Sequence, residues 1–201
     1  SASVDITNVK GTHVGAFVGN IGKGTSDYND NTNLGNSLVE DCYASGTITV
    51  TQGSGNSGRM NAGLVSMVEN VTGVTIRRCY ASGDVYGNAN GPIASLVAAA
   101  KNGKFLEEDI AFTMENCIAW SKVIKSNPAS ATCYSSAAVI GCSNLKNTLI
   151  NNYRRADMEF TDTYGDKVYT LFDQENTSPS SPLTAVDGPN NKAPYHGKAA
   201  P

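Results

Sequence analysis

The chain has 201 residues, a formal net charge of -3, 16% charged residues and 40% apolar residues. That balance supplies no basic footprint for nucleic acid. The longest apolar stretches, such as Ile93 to Ala100, fall far short of the roughly 20 residues that a membrane-spanning helix needs.

Reading begins at Ser1-Ala2-Ser3-Val4-Asp5, without a start Met or a signal peptide, which we read as a trimmed or mature chain. The first element is Gly15-Ala16-Phe17-Val18-Gly19, small and apolar. A loop follows in which Asp27, Asn29 and Asn31 alternate as calcium-ligating oxygens would. Thr32 stands where an EF-hand loop has Gly, and Leu38 where it has Glu, so an Asn-rich surface loop competes with the calcium reading. Next comes Cys42-Tyr43-Ala44-Ser45-Gly46-Thr47-Ile48.

The same order then returns. Ala62-Gly63-Leu64-Val65-Ser66 precedes Cys79-Tyr80-Ala81-Ser82-Gly83-Asp84-Val85. Ala94-Ser95-Leu96-Val97-Ala98 precedes Cys117-Ile118-Ala119-Trp120. Ala137-Ala138-Val139-Ile140-Gly141 precedes the degenerate Asn152-Tyr153-Arg154-Arg155. The anchors Cys42, Cys79, Cys117 and Asn152 are 37, 38 and 35 residues apart. An apolar residue (Val39, Ile76, Met114 or Leu149) lies three positions before each. Each unit reads as small-apolar strand, variable loop, apolar strand, anchor and short strand. Gly- and Asn-rich linkers and Thr, Val, Ile and Tyr in the anchors favour strands over helices.

A fixed period of this length indicates stacked repeats. The expected fold is all-β, a right-handed parallel β-helix of about four coils, over 13–50, 59–86, 91–123 and 132–158. Successive strands would lie about 4.8 Å apart, so equivalent side chains stack. Cys42, Cys79 and Cys117 should form an inward structural ladder, with Ala44, Ala81 and Ala119 beside it. Phe17, Leu64, Leu96 and Val139 should form a second inward ladder. Tyr43, Tyr80 and Tyr153 should point outward. The segment 161–201 reads as a C-terminal cap and a Pro-rich tail; five of the chain's seven prolines lie from Pro179 onward.

The five cysteines include no CxxC pair, and an odd count leaves at least one thiol outside any intramolecular disulfide. Glu40, Arg77 and Glu115 occupy one repeat position and make a carboxylate–guanidinium–carboxylate row, either a solvated ladder or a ligand contact. Tyr43, Tyr80 and Trp120 are the candidate aromatic platform. Asp41, Asp84 and Asp157 are the other acids that a catalytic groove would draw on. His13 and His196 read as exposed loop residues. No G-x-S-x-G elbow occurs. Residues 20–36, 51–60 and 101–111 are loops where a solenoid would carry recognition.

The pairing of Val14 to Gly19 with Glu40 to Ile48, and of Asn61 to Ser66 with Arg77 to Val85, resembles the GLUG-motif repeat of bacterial secreted and cell-surface proteins. Asn116-Cys117-Ile118-Ala119 and Asn151-Asn152-Tyr153 are looser copies. The resemblance implies a right-handed parallel β-helix, export and surface display, many relatives being from gut Bacteroidetes. It implies no catalytic residue; no cofactor is expected, apart from the calcium reading of Asp27, Asn29 and Asn31. The expected role is a non-enzymatic adhesin-like module that binds an extracellular glycan or protein, or spaces neighbouring domains of a longer chain. The competing expectation is a carbohydrate-binding or carbohydrate-active β-helix.

Overall fold

The computed structural model describes residues 2–3, 5–9, 13–22, 36–50, 60–69, 73–87, 92–101, 111–126, 136–143, 146–164, 167–169 and 197–200. Two short strands come first, β1 (Ala2–Ser3) and β2 (Ile6–Val9). Five follow in the first repeat: β3 (His13–Gly15), β4 (Val18–Gly22), β5 (Ser37–Glu40), β6 (Tyr43–Ser45) and β7 (Ile48–Val50). The second repeat gives β8 (Met60–Ala62), β9 (Val65–Glu69), β10 (Gly73–Arg77), β11 (Tyr80–Ala81) and β12 (Val85–Gly87). The third gives β13 (Ile93–Ala94), β14 (Val97–Lys101), β15 (Ala111–Glu115), β16 (Ile118–Ala119) and β17 (Val123–Ser126). The fourth gives β18 (Ser136–Ala137), β19 (Ile140–Ser143), β20 (Lys146–Ile150), β21 (Tyr153–Arg154) and β22 (Glu159–Tyr164). β23 (Lys167–Tyr169) and β24 (Lys198–Ala199) come last.

Among the described residues the strands form five sheets. Three of them run β3-β8-β13-β18, β4-β9-β14-β19 and β5-β10-β15-β20. The other two are six-stranded, β1-β6-β11-β16-β21-β24 (sheet A) and β2-β7-β12-β17-β22-β23 (sheet B). Neighbours come from successive repeats and pair in parallel, apart from the antiparallel turn-back of β23 on β22. No helix occurs among the described residues, and none is long and apolar enough to cross a membrane. This is an all-β stack of parallel strands, the arrangement of a β-solenoid.

The sequence motifs become columns. Val39, Ile76, Met114 and Leu149 are register partners, and the last three are buried. Ala44, Ala81 and Ala119 are likewise partners and buried. Leu64, Leu96 and Val139 are fully buried, but Phe17 at the head of that column is 37% exposed. The difference is positional: β4 is an edge strand among the described residues, so no described strand stacks on its outer side. The small-apolar element is also two strands, not one. A bend at Ala16-Phe17 and its equivalents separates β3 from β4, β8 from β9, and so on.

Two local devices let the chain turn. The residue before each anchor lies in the left-handed region: Asp41 (φ 54), Arg78 (φ 50), Asn116 (φ 55) and Asn151 (φ 50). Asp and Asn tolerate that conformation through their short polar side chains. Arg78 occupies it under a bidentate contact to Asp41, with Nε and Nη2 donating to the two carboxylate oxygens at 2.7 and 3.0 Å. The second device is glycine stacking. A Cβ on Gly83 would lie 1.6 Å from the Gly46 carbonyl oxygen of the rung above.

Termini join the stack. β1 pairs with β6 through Ala2↔Ala44 and Ser3↔Ser45. The Asp5 carboxylate accepts from the Thr47 amide at 2.7 Å, as Asp84 accepts from the Lys122 and Val123 amides at 2.9 Å. β24 pairs in parallel with β21 through Arg154↔Ala199, and Arg154 Nη1 donates to the Gly197 carbonyl at 2.8 Å.

Candidate functional site

The anchor column is structural in its bonding. Cys79 Sγ donates to the Val39 carbonyl and Cys117 Sγ to the Ile76 carbonyl, each at 3.6 Å. Asn152, next in the column, sends Nδ2 to the Met114 carbonyl at 2.8 Å and accepts from the Cys117 amide at 3.1 Å. All three thus reach the carbonyl three positions before the anchor of the preceding rung. The three thiols Cys42, Cys79 and Cys117 are free; Cys42 is half-buried and the other two are buried. The neighbouring Cys117 side chain lowers the Cys79 thiol. The Cys79 side chain pushes Cys117 well up in turn, and burial adds to the rise. Cys42 is raised by burial. Cys42 and Cys117, both raised, behave as small hydrophobes rather than nucleophiles.

The outward face of sheet A carries the candidate platform. Its first row is Tyr43, Tyr80, Ile118, Tyr153 and Lys198 in register. The Tyr43 and Tyr80 ring centroids are 5.1 Å apart with planes tilted by 32°. Cross-strand aromatic pairs of this geometry stabilise a sheet and still leave ring face available. The Tyr43 and Ser82 hydroxyls share a hydrogen bond of 3.2 Å. Bonds to Ser45 and Ser82 lower the Tyr43 phenol, while burial raises Tyr80. Ile118, itself 36% exposed, interrupts the aromatic row before Tyr153.

Trp120 stands in the second row, beyond the inward Ala119. Its amide donates to the Ala81 carbonyl at 2.7 Å, and the Arg155 amide donates to the Ala119 carbonyl at 2.8 Å. These bonds put Ser82, Trp120 and Arg155 on successive rungs. The Arg155 guanidinium lies 5.9 Å from the centre of the Trp120 ring, a cation–π contact. Arg155 also pairs with Asp157. The sequence placed Trp120 on the platform; it did not place Arg155 there.

Beside this face, on the other side of the Asp41–Arg78 corner, lies the charged row. Arg77 is in register with Glu40 and Glu115. Its guanidinium bonds Glu40 through Nε and approaches Glu115 at 3.9 Å. Arg78 reaches Glu40 at 3.0 Å as well. These groups are about one-third exposed, where an ion pair contributes on the order of 0–1 kcal/mol. The Arg78 contact holds the Asp41 carboxyl below its usual range, and Arg155 does the same for Asp157. Asp84 is occupied by backbone amides. Glu40, Glu115, Asp41, Asp84 and Asp157 therefore all have structural partners.

Among the described residues no group of three or more His, Cys, Asp or Glu side chains is placed to hold a metal ion. The calcium candidates Asp27, Asn29 and Asn31, most of loops 20–36, 51–60 and 101–111, and His196 lie outside the described residues. His13 lies in β3, opposite Met60.

One buried residue escaped the sequence reading. Asn61 is fully buried in register between Val14 and Ile93. Among the described residues neither Nδ2 nor Oδ1 has a hydrogen-bond partner. Its place directly before the Ala62-Gly63-Leu64 element was the available signal: a polar side chain one position before a core column. No family model, no curated protein and no solved structure matches this chain.

Proposed function

We propose that this chain is a non-enzymatic, adhesin-like module of a secreted or cell-surface protein. In this reading it is a right-handed parallel β-helix of four coils that binds an extracellular partner or spaces neighbouring domains. The observation that carries the proposal is the division of labour within the repeat. Alanine, anchor and aliphatic columns fill the interior, and acids engage arginines or backbone amides. Outward on sheet A stands the regular face of Tyr43, Tyr80, Ile118, Trp120 and Arg155. A rigid wall with rows about 4.8 Å apart suits display more than turnover. The GLUG-like motifs support export. Adhesion of protein-coated beads to extracellular matrix and cell surfaces, with a reducing-end assay on the same polysaccharides, tests the reading. Release of new reducing ends by this chain would sink it.

A second reading has one specific observation in its favour. Tyr43 and Tyr80 are adjacent, and Trp120 carries a guanidinium beside its ring. Aromatic faces flanked by hydroxyl and guanidinium donors suit sugars, which present apolar C–H faces and many hydroxyls. A glycan array with wild type and Tyr80→Ala separates the readings. Binding lost in Tyr80→Ala supports a glycan site on sheet A; binding unaffected by it, or none at all, removes this one.

A further inference from the structure

The inward anchor column holds three thiols that the outward face does not use. Cys42, Cys79 and Cys117 are free. They sit on consecutive rungs: the Tyr80 amide donates to the Cys42 carbonyl and the Ile118 amide to the Cys79 carbonyl, each at 2.9 Å. Their side chains also share one orientation. Each Sγ lies against the carbonyl two residues before it, Glu40 at 3.2 Å, Arg77 at 3.2 Å and Glu115 at 3.3 Å. Cys79 and Cys117 add the same second contact to the preceding rung, at 3.6 Å. Equal contacts mean equal rotamers, so each sulfur repeats the last one a single rung further along, about 4.8 Å away.

That spacing selects what the thiols can do together. A disulfide needs Cβ atoms within about 4.5 Å and sulfurs about 2.05 Å apart, so it would draw two strands closer than their ladder allows. An ion with three or four ligands needs donors that converge on a point. Thiols in a line do not converge, and among the described residues no such group exists. A linear, two-coordinate ion is different. With a metal–thiolate bond of about 2.3 Å, two sulfurs on opposite sides of one ion are about 4.6 Å apart, which is nearly one rung. We propose that Cys42 and Cys79 bind a soft, monovalent, two-coordinate cation of the Cu(I) class between them.

The chemistry fits the ligands. Thiolates select soft ions, and Zn(II), the commoner thiolate partner, requires four ligands in a structural site. Binding releases two protons, because a coordinating thiol is deprotonated even where burial disfavours its ionisation. One monovalent cation between two thiolates leaves one negative charge. That charge is better tolerated beside Cys42, which is half-buried, than between Cys79 and Cys117, which are both buried. The ion ties the first repeat to the second through their interior. Only the folded chain holds both thiols at that distance, so binding stabilises the fold.

The test is anaerobic titration of the full chain with Cu(I) against a coloured Cu(I) chelator. X-ray absorption reports the coordination, and circular dichroism reports folding of every variant. Wild type should take up one equivalent with two sulfur neighbours, and its Tm should rise when Cu(I) is bound. Cys42→Ser should weaken binding by roughly a hundredfold or more. So should Cys79→Asn, which keeps the column's hydrogen bonds as Asn152 does. Cys117→Ser should bind as wild type, and so should Cys133→Ala with Cys142→Ala, which removes the chain's other two thiols. Failure of wild type to take up Cu(I) overturns the proposal. So does a third sulfur on the ion, binding that survives the loss of Cys42 or of Cys79, or binding lost with Cys117 or with Cys133 and Cys142.

Discussion

At the scale of single residues, the anchor column is defined by a bond rather than by an element. Cys79, Cys117 and Asn152 all reach the carbonyl three positions before the preceding anchor. An amide fills this position with two good hydrogen bonds, where the Cys79 thiol has one weak proton to share between the Val39 carbonyl at 3.6 Å and the Arg77 carbonyl at 3.2 Å. Cys79→Asn should therefore stay within about 1 kcal/mol of wild type. Cys79→Leu, which adds volume to a closed column, should lose about 1–3 kcal/mol. Urea midpoints decide it; equal losses from the two variants would refute the hydrogen-bond account. Asn61 makes the opposite case. Burying an amide without partners costs about 1–3 kcal/mol, so the near-isosteric Asn61→Leu should raise Tm by several degrees. A lower Tm would mean that the amide holds a buried water worth more than its burial costs. The column was readable from Cys42, Cys79 and Cys117 because the anchors recur at a near-constant period. Asn61 was not, because a single polar residue beside Ala62 breaks no period.

At the scale of elements, the corners carry the chain from one wall of the stack to the next. Each has a left-handed residue before the anchor, and five residues after Asp41 and Arg78 the rungs nearly touch at Gly46 and Gly83. Gly83→Ala would push a methyl carbon to 1.6 Å from the Gly46 oxygen, and neither backbone can withdraw without breaking its sheet. A loss of about 3 kcal/mol is expected. Gly19→Ala, whose new methyl would find its nearest neighbour at 3.7 Å, should be close to neutral. Differential scanning calorimetry of the pair checks both, and a tolerated Gly83→Ala would mean that the rungs are further apart than described. The corner at Asp41 also predicts a pH response. Its folded pKa is depressed by Arg78, so its stabilisation is present above the ordinary Asp value of about 3.9 and is lost as pH falls through the folded value. Asp157 behaves the same way through Arg155. Stability should fall below about pH 4, and Asp41→Asn with Asp157→Asn should flatten that fall. An unchanged acid limb in the double variant would show that neither pair matters. Asn116 and Asn151 hinted at these corners in the sequence. Arg78 did not, because arginine gains a left-handed place only from a partner on the neighbouring rung.

At the scale of the whole molecule, stacking was legible and closure was not. The repeat motifs announce which residues align, since alignment is periodic. The half-rung of β1 and β2 lacks a cysteine anchor. Its only signature is Ala2-Ser3 followed by Ile6, the spacing of Ala44-Ser45 to Ile48. β24 carries just Ala199 at the equivalent place. Each adds a strand to an existing sheet edge, and edge strands are specified by the partner they meet more than by their own pattern. The last strand can be tested directly. Arg154 is buried at a position where other rungs have alanine, and it donates to the Gly197 carbonyl. Ending the chain at residue 196 removes that acceptor and the Lys198 and Ala200 amide bonds to Asn152 and Arg154. The charge-assisted bond alone contributes about 1.5–3 kcal/mol, so the shortened chain should melt several degrees lower. Arg154→Ala restores the alanine column of the other rungs and should recover part of the loss in the shortened chain while costing stability in the full one. A truncation with no effect on Tm, or an Arg154→Ala exchange acting equally in both backgrounds, would show that β24 rests on the stack without holding it.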